Sequence, residues 1–156
     1  MTDPAHPGRT LFVSIPVADV ERSKAFFAQL GFSYDPRFTD ATAACMPVGE
    51  HAVVMLLSRE KFADFSKLPI ADPTTHALAL YSFSVSSRDE VDAVSAAALA
   101  AGATEADDAE DYGFMYSRSF FDLDGHGWQV MWMDPAAAEQ GPEAFAASAQ
   151  DADAPA

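Results

Sequence analysis

The chain is poor in cysteine and in positive charge. Cys45 is its one cysteine in 156 residues, so no disulfide can form within a single chain. It has 9 Lys and Arg residues against 24 Asp and Glu, which gives a formal net charge of −15. Binding to phosphate backbones or to anionic lipids needs clustered positive charge, so this composition argues against nucleic acid and membrane partners.

Long hydrophobic runs are also absent. No stretch approaches the roughly 18 consecutive apolar residues of a membrane span. The first residues, MTDPAHPGR, lack the basic start and apolar centre of a secretory signal. Together with the lone thiol, these features predict a cytoplasmic protein. Hydrophobic residues make up 49% of the chain, enough for one compact domain with a real core.

The first half of the chain has the pattern of one strand, one helix and three shorter strands. Apolar residues alternate along residues 11–17, as expected of a strand with one buried face. Asp19 is placed to cap a following helix, and Gly31 is placed to end it. The shorter strands are predicted at residues 32–34, 41–47 and 52–57.

The second half repeats this order of elements. Ser87 and Glu90 form a capping box at the start of an alanine-rich helix that ends at Gly102. Strands are predicted at residues 78–85, 103–106, 115–122 and 128–134. Both halves therefore have the order βαβββ, which predicts an α+β fold made of two tandem modules.

The remaining segments are predicted to lie outside the two modules. Residues 1–9 are expected to be a loose arm. Residues 58–77, with Pro69 and Pro73, are expected to be a surface connector with a short helix. The tail, residues 135–156, is rich in alanine and acidic residues and is predicted to be mostly disordered.

The strongest local signal is the stretch SFFDLDGHGWQVMWMD at the end of the second module. Its Asp124-Gly125 pair between two apolar runs predicts a β-hairpin. The second arm alternates two sets of residues. Trp128, Val130 and Trp132 are assigned to the helix-covered core, and Gln129 and Met131 to the opposite face.

These motifs resemble those of the glyoxalase, bleomycin resistance protein and extradiol dioxygenase superfamily, whose members are also called vicinal oxygen chelate proteins. The resemblance spans roughly residues 10–134, with halves at 10–57 and 78–134. It is carried by Val17, Asp19, Ser23, Phe26, Phe27, Leu30, Gly31 and Phe32 at the start, and by Asp122, Asp124 and Gly125 at the end. It implies an incomplete β-barrel with helices outside, a ligand in the concave interior, and a homodimer.

The resemblance also implies where a metal would be bound. Metal-using members place one ligand on each of four strands, at positions that fall here near Phe12, Met55, Leu80 and Gln129. Three of these side chains cannot bind a divalent cation, and one amide oxygen is not a site. The four histidines do not have a ligand spacing either. We therefore expect no divalent metal and no other cofactor.

The expected function is the binding of a small, partly apolar molecule. The residues assigned to the cavity are Phe12, Ser14, Met55, Leu57, Leu80, Ser82, Tyr116, Arg118, Gln129 and Met131. Tyr116, Arg118 and His126 are candidates for metal-free catalysis. The alternatives are that these side chains only fill the barrel, or that the protein is a metal-dependent lyase, similar to lactoylglutathione lyase, or an extradiol dioxygenase.

Several other residues could have either a functional or a structural role. Asp122 and Asp124 are assigned to satisfying turn amides rather than to acid or base chemistry. Cys45 is expected to be buried. The segment that carries Tyr112, Phe114, Tyr116 and Arg118 is either a flap over the cavity or an ordinary strand.

Overall fold

The computed structural model describes residues 8–152. Most of the predicted N-terminal arm, residues 1–7, lies outside the described residues. The part that is described is a mixed α+β structure with two sheets, as the sequence predicted.

The first module forms a three-stranded sheet with one helix. Strand β1 spans Leu11–Val17, helix α1 spans Val20–Gln29, β2 spans Ala43–Gly49 and β3 spans Ala52–Ser58. The strand order is β1-β3-β2, with β3 parallel to β1 and antiparallel to β2. The edge of β1 is thereby left free to face the second module.

The second module forms a larger sheet. After helix α2 in the connector, Arg59–Phe65, come β4 at Leu80–Ser84, helix α3 at Arg88–Ala100, β5 at Thr104–Glu105, β6 at Glu110–Asp111, β7 at Met115–Phe121 and β8 at Gly127–Met133. The order is β4-β8-β7-β5, and β6 also pairs with β7. Strands β4 and β8 are parallel, and β7 and β8 form the predicted hairpin.

Both main helices begin and end where the sequence predicted. The Asp19 carboxylate accepts a hydrogen bond from the backbone N–H of Arg22 at 3.0 Å, and the Ser87 hydroxyl accepts one from Glu90 at 3.1 Å. The Glu90 carboxylate bonds back to Ser86, one residue before the cap, rather than to the cap residue itself. Gly31 has a φ of 95°, the left-handed conformation expected just after a helix.

One hydrophobic core joins the two modules. Helix α1 packs Phe26 and Phe27 between the sheets, and the Phe27 ring lies 5.0 Å from the Trp128 ring of β8. Phe26 lies 6.3 Å from Phe120 of β7. The first sheet contributes Ile15, Val17, Ala44, Met46, Val54 and Leu56 to the same core. Because α1 contacts both sheets, its apolar residues hold the modules together.

Residues 32–34 do not form the predicted strand. After them, Asp35 accepts from the Arg37 backbone N–H at 3.0 Å and begins a 3-10 turn at Pro36–Phe38. Proline has no N–H to donate to a strand partner, which favours this local turn. Among the described residues the first module is therefore βαββ.

The acidic segment at residues 107–111 contains the short strand β6, which pairs with β7. Arg88 contacts this strand, since its guanidinium donates two hydrogen bonds of 2.8 Å to the Asp111 carboxylate. The contact joins residues that are 23 positions apart in sequence, and no local pattern reveals it.

The tail also differs from the prediction of disorder. Helix α4 spans Pro135–Gln140, capped by Asp134, and helix α5 spans Pro142–Ala152. Ala137 is buried, and the Phe145 ring lies 6.4 Å from Phe114. Alanine favours helices, and these two contacts join the helices to the rest of the domain. Residues 153–156 of the tail lie outside the described residues.

None of the helices in residues 8–152 has the length and apolar character that a membrane span requires.

Candidate functional site

A cavity of about 340 Å³ lies where the first strands of the two modules meet the connector and the β7–β8 loop. Strand β1 contributes Ser14 and Pro16, and β4 contributes Leu80 and Tyr81. The β7–β8 hairpin contributes Phe121, Gly125, His126 and Gly127. The cavity is thus built from segments that are far apart in sequence.

The connector forms about half of the cavity wall. It was predicted to be a surface segment, and its residues are indeed not fully buried. Their apolar side chains nevertheless turn towards the space between β1 and β4. The contributing residues are Phe62, Ser66, Leu68, Pro69, Ile70, Ala71, Pro73, His76 and Ala77, followed by Leu78 and Ala79.

Asp122 organises the loop at one end of the cavity. Its Oδ1 accepts from the backbone N–H groups of Asp124 at 2.9 Å and His126 at 3.0 Å, and its Oδ2 accepts from the Trp128 indole at 2.9 Å. Burial raises the pKa of Asp122, while the hydrogen bonds from the Trp128 indole and the two backbone N–H groups oppose the rise. The carboxylate therefore supports the turn, as the sequence predicted.

The same loop is tied to the first module. Asp124 Oδ1 accepts from the Ala18 backbone N–H at 2.8 Å, and Asp124 Oδ2 accepts from the Ser23 hydroxyl at 3.4 Å. The His126 ring bonds through Nε2 to the Pro16 carbonyl oxygen at 2.7 Å. These contacts place a histidine in the cavity wall and hold it from both modules.

The loop also contacts the connector closely. Gly125 has a φ of 96°, and a Cβ atom at this position would lie 3.2 Å from the backbone of Pro73 and Thr74. Glycine is therefore required both by the backbone conformation and by this approach.

The cavity wall has few polar side chains, and these belong to serine, tyrosine and histidine residues. His126 is buried, and its ring lies 6.3 Å from the ring of Tyr81. Burial, together with the charge of Asp122, raises the pKa of Tyr81, so its phenol stays protonated at neutral pH. His76 bonds through Nδ1 to the Thr75 hydroxyl at 2.8 Å. No Asp, Glu, Lys or Arg side chain is among the lining residues.

The structure brings only part of the predicted ligand-binding set to this cavity. Ser14 and Leu80 line it, and they lie on the faces of β1 and β4 that the sequence assigned to the interior. The side chains on the same faces that do not line it are Phe12, Met55, Leu57, Ser82, Gln129 and Met131. Met55 and Leu57 lie beside the lining residues of β1, on β3, and Phe12 lies nearer the start of β1. The other three lie farther along β4 and β8.

The four positions of the superfamily's metal ligands do not suit a metal ion here. Phe12, Met55 and Leu80 have no donor atom that binds hard divalent cations. Gln129 is occupied by hydrogen bonds, since its Oε1 accepts from Ser82 at 3.3 Å and its Nε2 donates to Ser117 at 3.4 Å. Within residues 8–152, no three His, Cys, Asp or Glu side chains are grouped to hold an ion.

Tyr116 and Arg118 lie on the opposite face of the sheet, which corrects their assignment to the cavity. In the β7–β8 register, Tyr116 pairs with Trp132 and Arg118 with Val130, so both side chains point towards helix α3. The Tyr116 hydroxyl donates to Asp92 at 2.8 Å, and Arg118 bonds to Glu105 at 2.9 Å. Neither is available to a ligand in the cavity.

The candidate flap does not cover the cavity. Tyr112 is exposed, and the Phe114 ring packs near Phe145 of the tail. Tyr112, Phe114, Tyr116 and Arg118 are all absent from the cavity wall. Of the three catalytic candidates, only His126 lines the cavity.

The sequence analysis missed Tyr81, His76 and the apolar connector residues. Tyr81 lies between Leu80 and Ser82 on β4, and strand alternation places it on the opposite face from these two residues. One signal was present in the connector, because its second part, LPIADPTTHALAL, has more apolar residues than a solvated linker needs. Its lack of periodicity hid which side chains point inward.

The described part of the chain has a glyoxalase-like α+β fold. Residues 9–49 match a family model described as bleomycin resistance protein-like N-terminal. No curated protein matches the chain.

Several solved structures share this fold. The hypothetical protein SA1046 from S. aureus is 24% identical, with a TM-score of 0.68 over 79% of this chain and 92% of that chain. A glyoxalase-related enzyme from Fulvimarina pelagi is 15% identical, with a TM-score of 0.69 over 80% of this chain and 88% of that one. A glyoxalase/bleomycin resistance protein/dioxygenase family enzyme from Burkholderia phytofirmans PsJN is 19% identical, with a TM-score of 0.65 over 78% and 96%.

These findings confirm the resemblance seen in the sequence motifs. The chain has the fold of the glyoxalase, bleomycin resistance protein and dioxygenase superfamily, and its first module carries the bleomycin resistance protein-like N-terminal signature. Likeness at these identities establishes the fold and leaves the reaction open.

Proposed function

We propose that the protein binds a small, partly apolar molecule in the cavity between β1, β4 and the connector, without a divalent metal. The cavity itself carries this proposal. Its volume of about 340 Å³ and its mostly apolar wall with a few polar groups are typical of sites for small organic molecules.

The composition of the wall favours an uncharged ligand. A charged group in the cavity would lose its hydration without meeting an opposite charge, since none of the lining side chains is Asp, Glu, Lys or Arg. The net charge of −15 also repels anions at long range. Apolar contact and aromatic packing would then supply most of the affinity.

We also propose a cytoplasmic homodimer. Leu11, Phe12 and Leu80 are 64%, 62% and 78% exposed although they lie on strands of the two sheets. Large apolar side chains left exposed on the strands of a sheet are candidates for a contact area with another chain. A partner copy that covers them would enclose the cavity further. Light scattering during size-exclusion chromatography should give the mass of two chains, and a monomer at all concentrations would contradict this part of the proposal.

A pair of serine substitutions tests whether ligands bind in the cavity. Ser14 lines it, whereas Ser84 is also exposed on the corresponding face of β4 but does not line it. A tryptophan at position 14 would fill part of the cavity. We expect Ser14→Trp to weaken binding of the neutral probe 2-methoxynaphthalene at least about tenfold, and Ser84→Trp to leave it unchanged. Isothermal titration calorimetry measures both.

The alternative is a metal-dependent lyase or extradiol dioxygenase. Protein purified without chelator should be analysed for metal and then assayed for glyoxalase and catechol-cleaving activity with added Mn²⁺, Fe²⁺, Ni²⁺ and Zn²⁺. Our proposal predicts probe binding that is independent of these ions. Stoichiometric metal in the cavity, or metal-dependent turnover, would contradict it.

A further inference from the structure

We infer that the cavity selects a flat molecule with an acidic hydroxyl group, such as a phenol, and that this hydroxyl donates a hydrogen bond to Nδ1 of His126. The inference rests on the proposed binding function and adds the chemical class of the ligand. It follows from the way in which the first module holds the His126 ring.

The Pro16 carbonyl determines which ring nitrogen of His126 carries the hydrogen. Nε2 lies 2.7 Å from this carbonyl oxygen, which can only accept a hydrogen bond. Nε2 must therefore be the protonated nitrogen of the neutral ring. Nδ1 then has a free lone pair and acts as an acceptor.

Nδ1 has no hydrogen-bond partner among the described residues, and it is not fully buried. No hydrogen bond of the described residues involves this atom, although the His126 residue is only 9% exposed. Within residues 8–152, the Ser95 hydroxyl is the one fully buried side-chain nitrogen or oxygen atom that lacks a partner. Nδ1 is therefore accessible, and the cavity is the open space that His126 lines.

The surroundings of this acceptor decide which ligand satisfies it. A ligand without a donor would bury Nδ1 unpaired against apolar neighbours such as Leu80 and Phe121, which costs a large part of a hydrogen bond. A cationic donor would meet no carboxylate among the lining side chains. A neutral donor is left, either a hydroxyl or an N–H group. Of these, an acidic hydroxyl donates more strongly than an aliphatic alcohol or an amide N–H group.

The aromatic residues of the wall favour a flat ring on the hydroxyl-bearing ligand. Phe62, Tyr81 and Phe121 line the cavity from the connector, β4 and β7. Aromatic faces and edges at these positions can pack against a planar molecule. A phenol combines the ring with the donor.

Two naphthalene probes test the inference. We would measure 2-naphthol and its methyl ether, 2-methoxynaphthalene, by calorimetry at about pH 7.5, where a phenol is neutral. The two differ by the donor hydrogen and one methyl group. We expect the wild-type protein to bind 2-naphthol about tenfold more tightly than the ether.

Substitutions at histidines assign this preference to one residue. His126→Phe keeps a ring at this position but has no acceptor atom, so the two probes should bind about equally to this variant. His51→Phe is the matched control, because His51 lies in the exposed β2–β3 turn. It should retain the full preference.

A spectroscopic measurement keeps the inference testable if His126→Phe fails to fold. The ¹⁵N resonance of the unprotonated His126 nitrogen in the wild-type protein should shift when 2-naphthol binds, and should shift much less with the ether. Equal binding of the two probes to the wild type, or a preference that is lost on His76→Phe instead, would overturn the inference while the binding function stands. Failure of both probes to bind would overturn the inference and the proposed function together.

Discussion

Replacing Asp122 by Asn should destabilise the protein far more than the same change at Asp124. The Asp122 carboxylate accepts three N–H groups, from Asp124, His126 and the Trp128 indole. An asparagine offers one acceptor oxygen for the two backbone donors, and its NH₂ group would face the indole N–H. The indole of Trp128, which is 2% exposed, would lose its partner.

The expected cost follows from this unpaired donor. A buried polar group left without a partner costs about 1–3 kcal/mol in the free energy of unfolding. Asp124 accepts from the Ala18 N–H and the Ser23 hydroxyl. An asparagine there can accept the first bond and donate the second, because a hydroxyl does both. Asp124→Asn should cost less than about 0.5 kcal/mol.

Urea unfolding followed by tryptophan fluorescence measures the difference. With an m value of about 2 kcal/mol/M, Asp122→Asn should lower the midpoint by about 0.5–1.5 M, while Asp124→Asn should hardly change it. Equal midpoints for the two variants, or a larger loss for Asp124→Asn, would refute the account of this loop.

The pH dependence gives a second check on Asp122. Its pKa is raised by burial above the ordinary value of 3.8, so the native state holds this proton more tightly than the unfolded chain does. Its contribution to stability is therefore greatest below pH 3.8 and falls as pH rises through the folded pKa. The stability of the wild type relative to Asp122→Asn should decrease in that direction, and a relative stability that rises with pH would contradict the assignment.

Three further substitutions test two other contacts. Gly31→Ala and Gly125→Ala both place a side chain at φ near 95°, which costs about 1–2 kcal/mol, but only the Cβ atom at position 125 meets backbone within 4 Å. Thermal unfolding should therefore show a larger loss of stability for Gly125→Ala, and equal losses would contradict the close approach of Pro73. Hydrogen bonds from Arg88 lower the pKa of Asp111 to about 2, so Arg88→Gln should return it towards 3.8 in an NMR titration. In the wild type, the stabilisation from this pair is present above pH 3.8 and is lost as pH falls towards 2, and an unchanged pKa in Arg88→Gln would contradict its role.

Several features of the fold could be predicted because they depend on neighbours in sequence. The caps Asp19 and Ser87 bond to N–H groups three residues away, and the helix stops at Gly31 and Gly102 need only a local conformation. The alternation that placed Val130 and Trp128 in the core depends on the two-residue repeat of a strand. The superfamily motifs are built from these same local signals.

The wrong assignment of Tyr116 and Arg118 shows what the alternation of residues along a strand cannot predict. Alternation along β7 separates Tyr116, Arg118 and Phe120 from Ser117 and Ser119, but it does not say which set faces the helices. The pairing of β7 with β8 decides that, and it depends on how many residues the loop between them holds. The acidic partners Asp92 and Glu105 then hold the two side chains on the helix side.

By itself, the sequence determined the order of the elements, the ends of both main helices, the apolar faces and the superfamily fold, since each is written in spacings of a few residues. Only the tertiary structure decided where the cavity lies, because its wall joins β1 and β4 to an aperiodic connector. It also decided the orientation of the His126 ring, which bonds to the carbonyl oxygen of Pro16, 110 residues away. A contact over that distance depends on the packing of the two modules, and no local pattern encodes it.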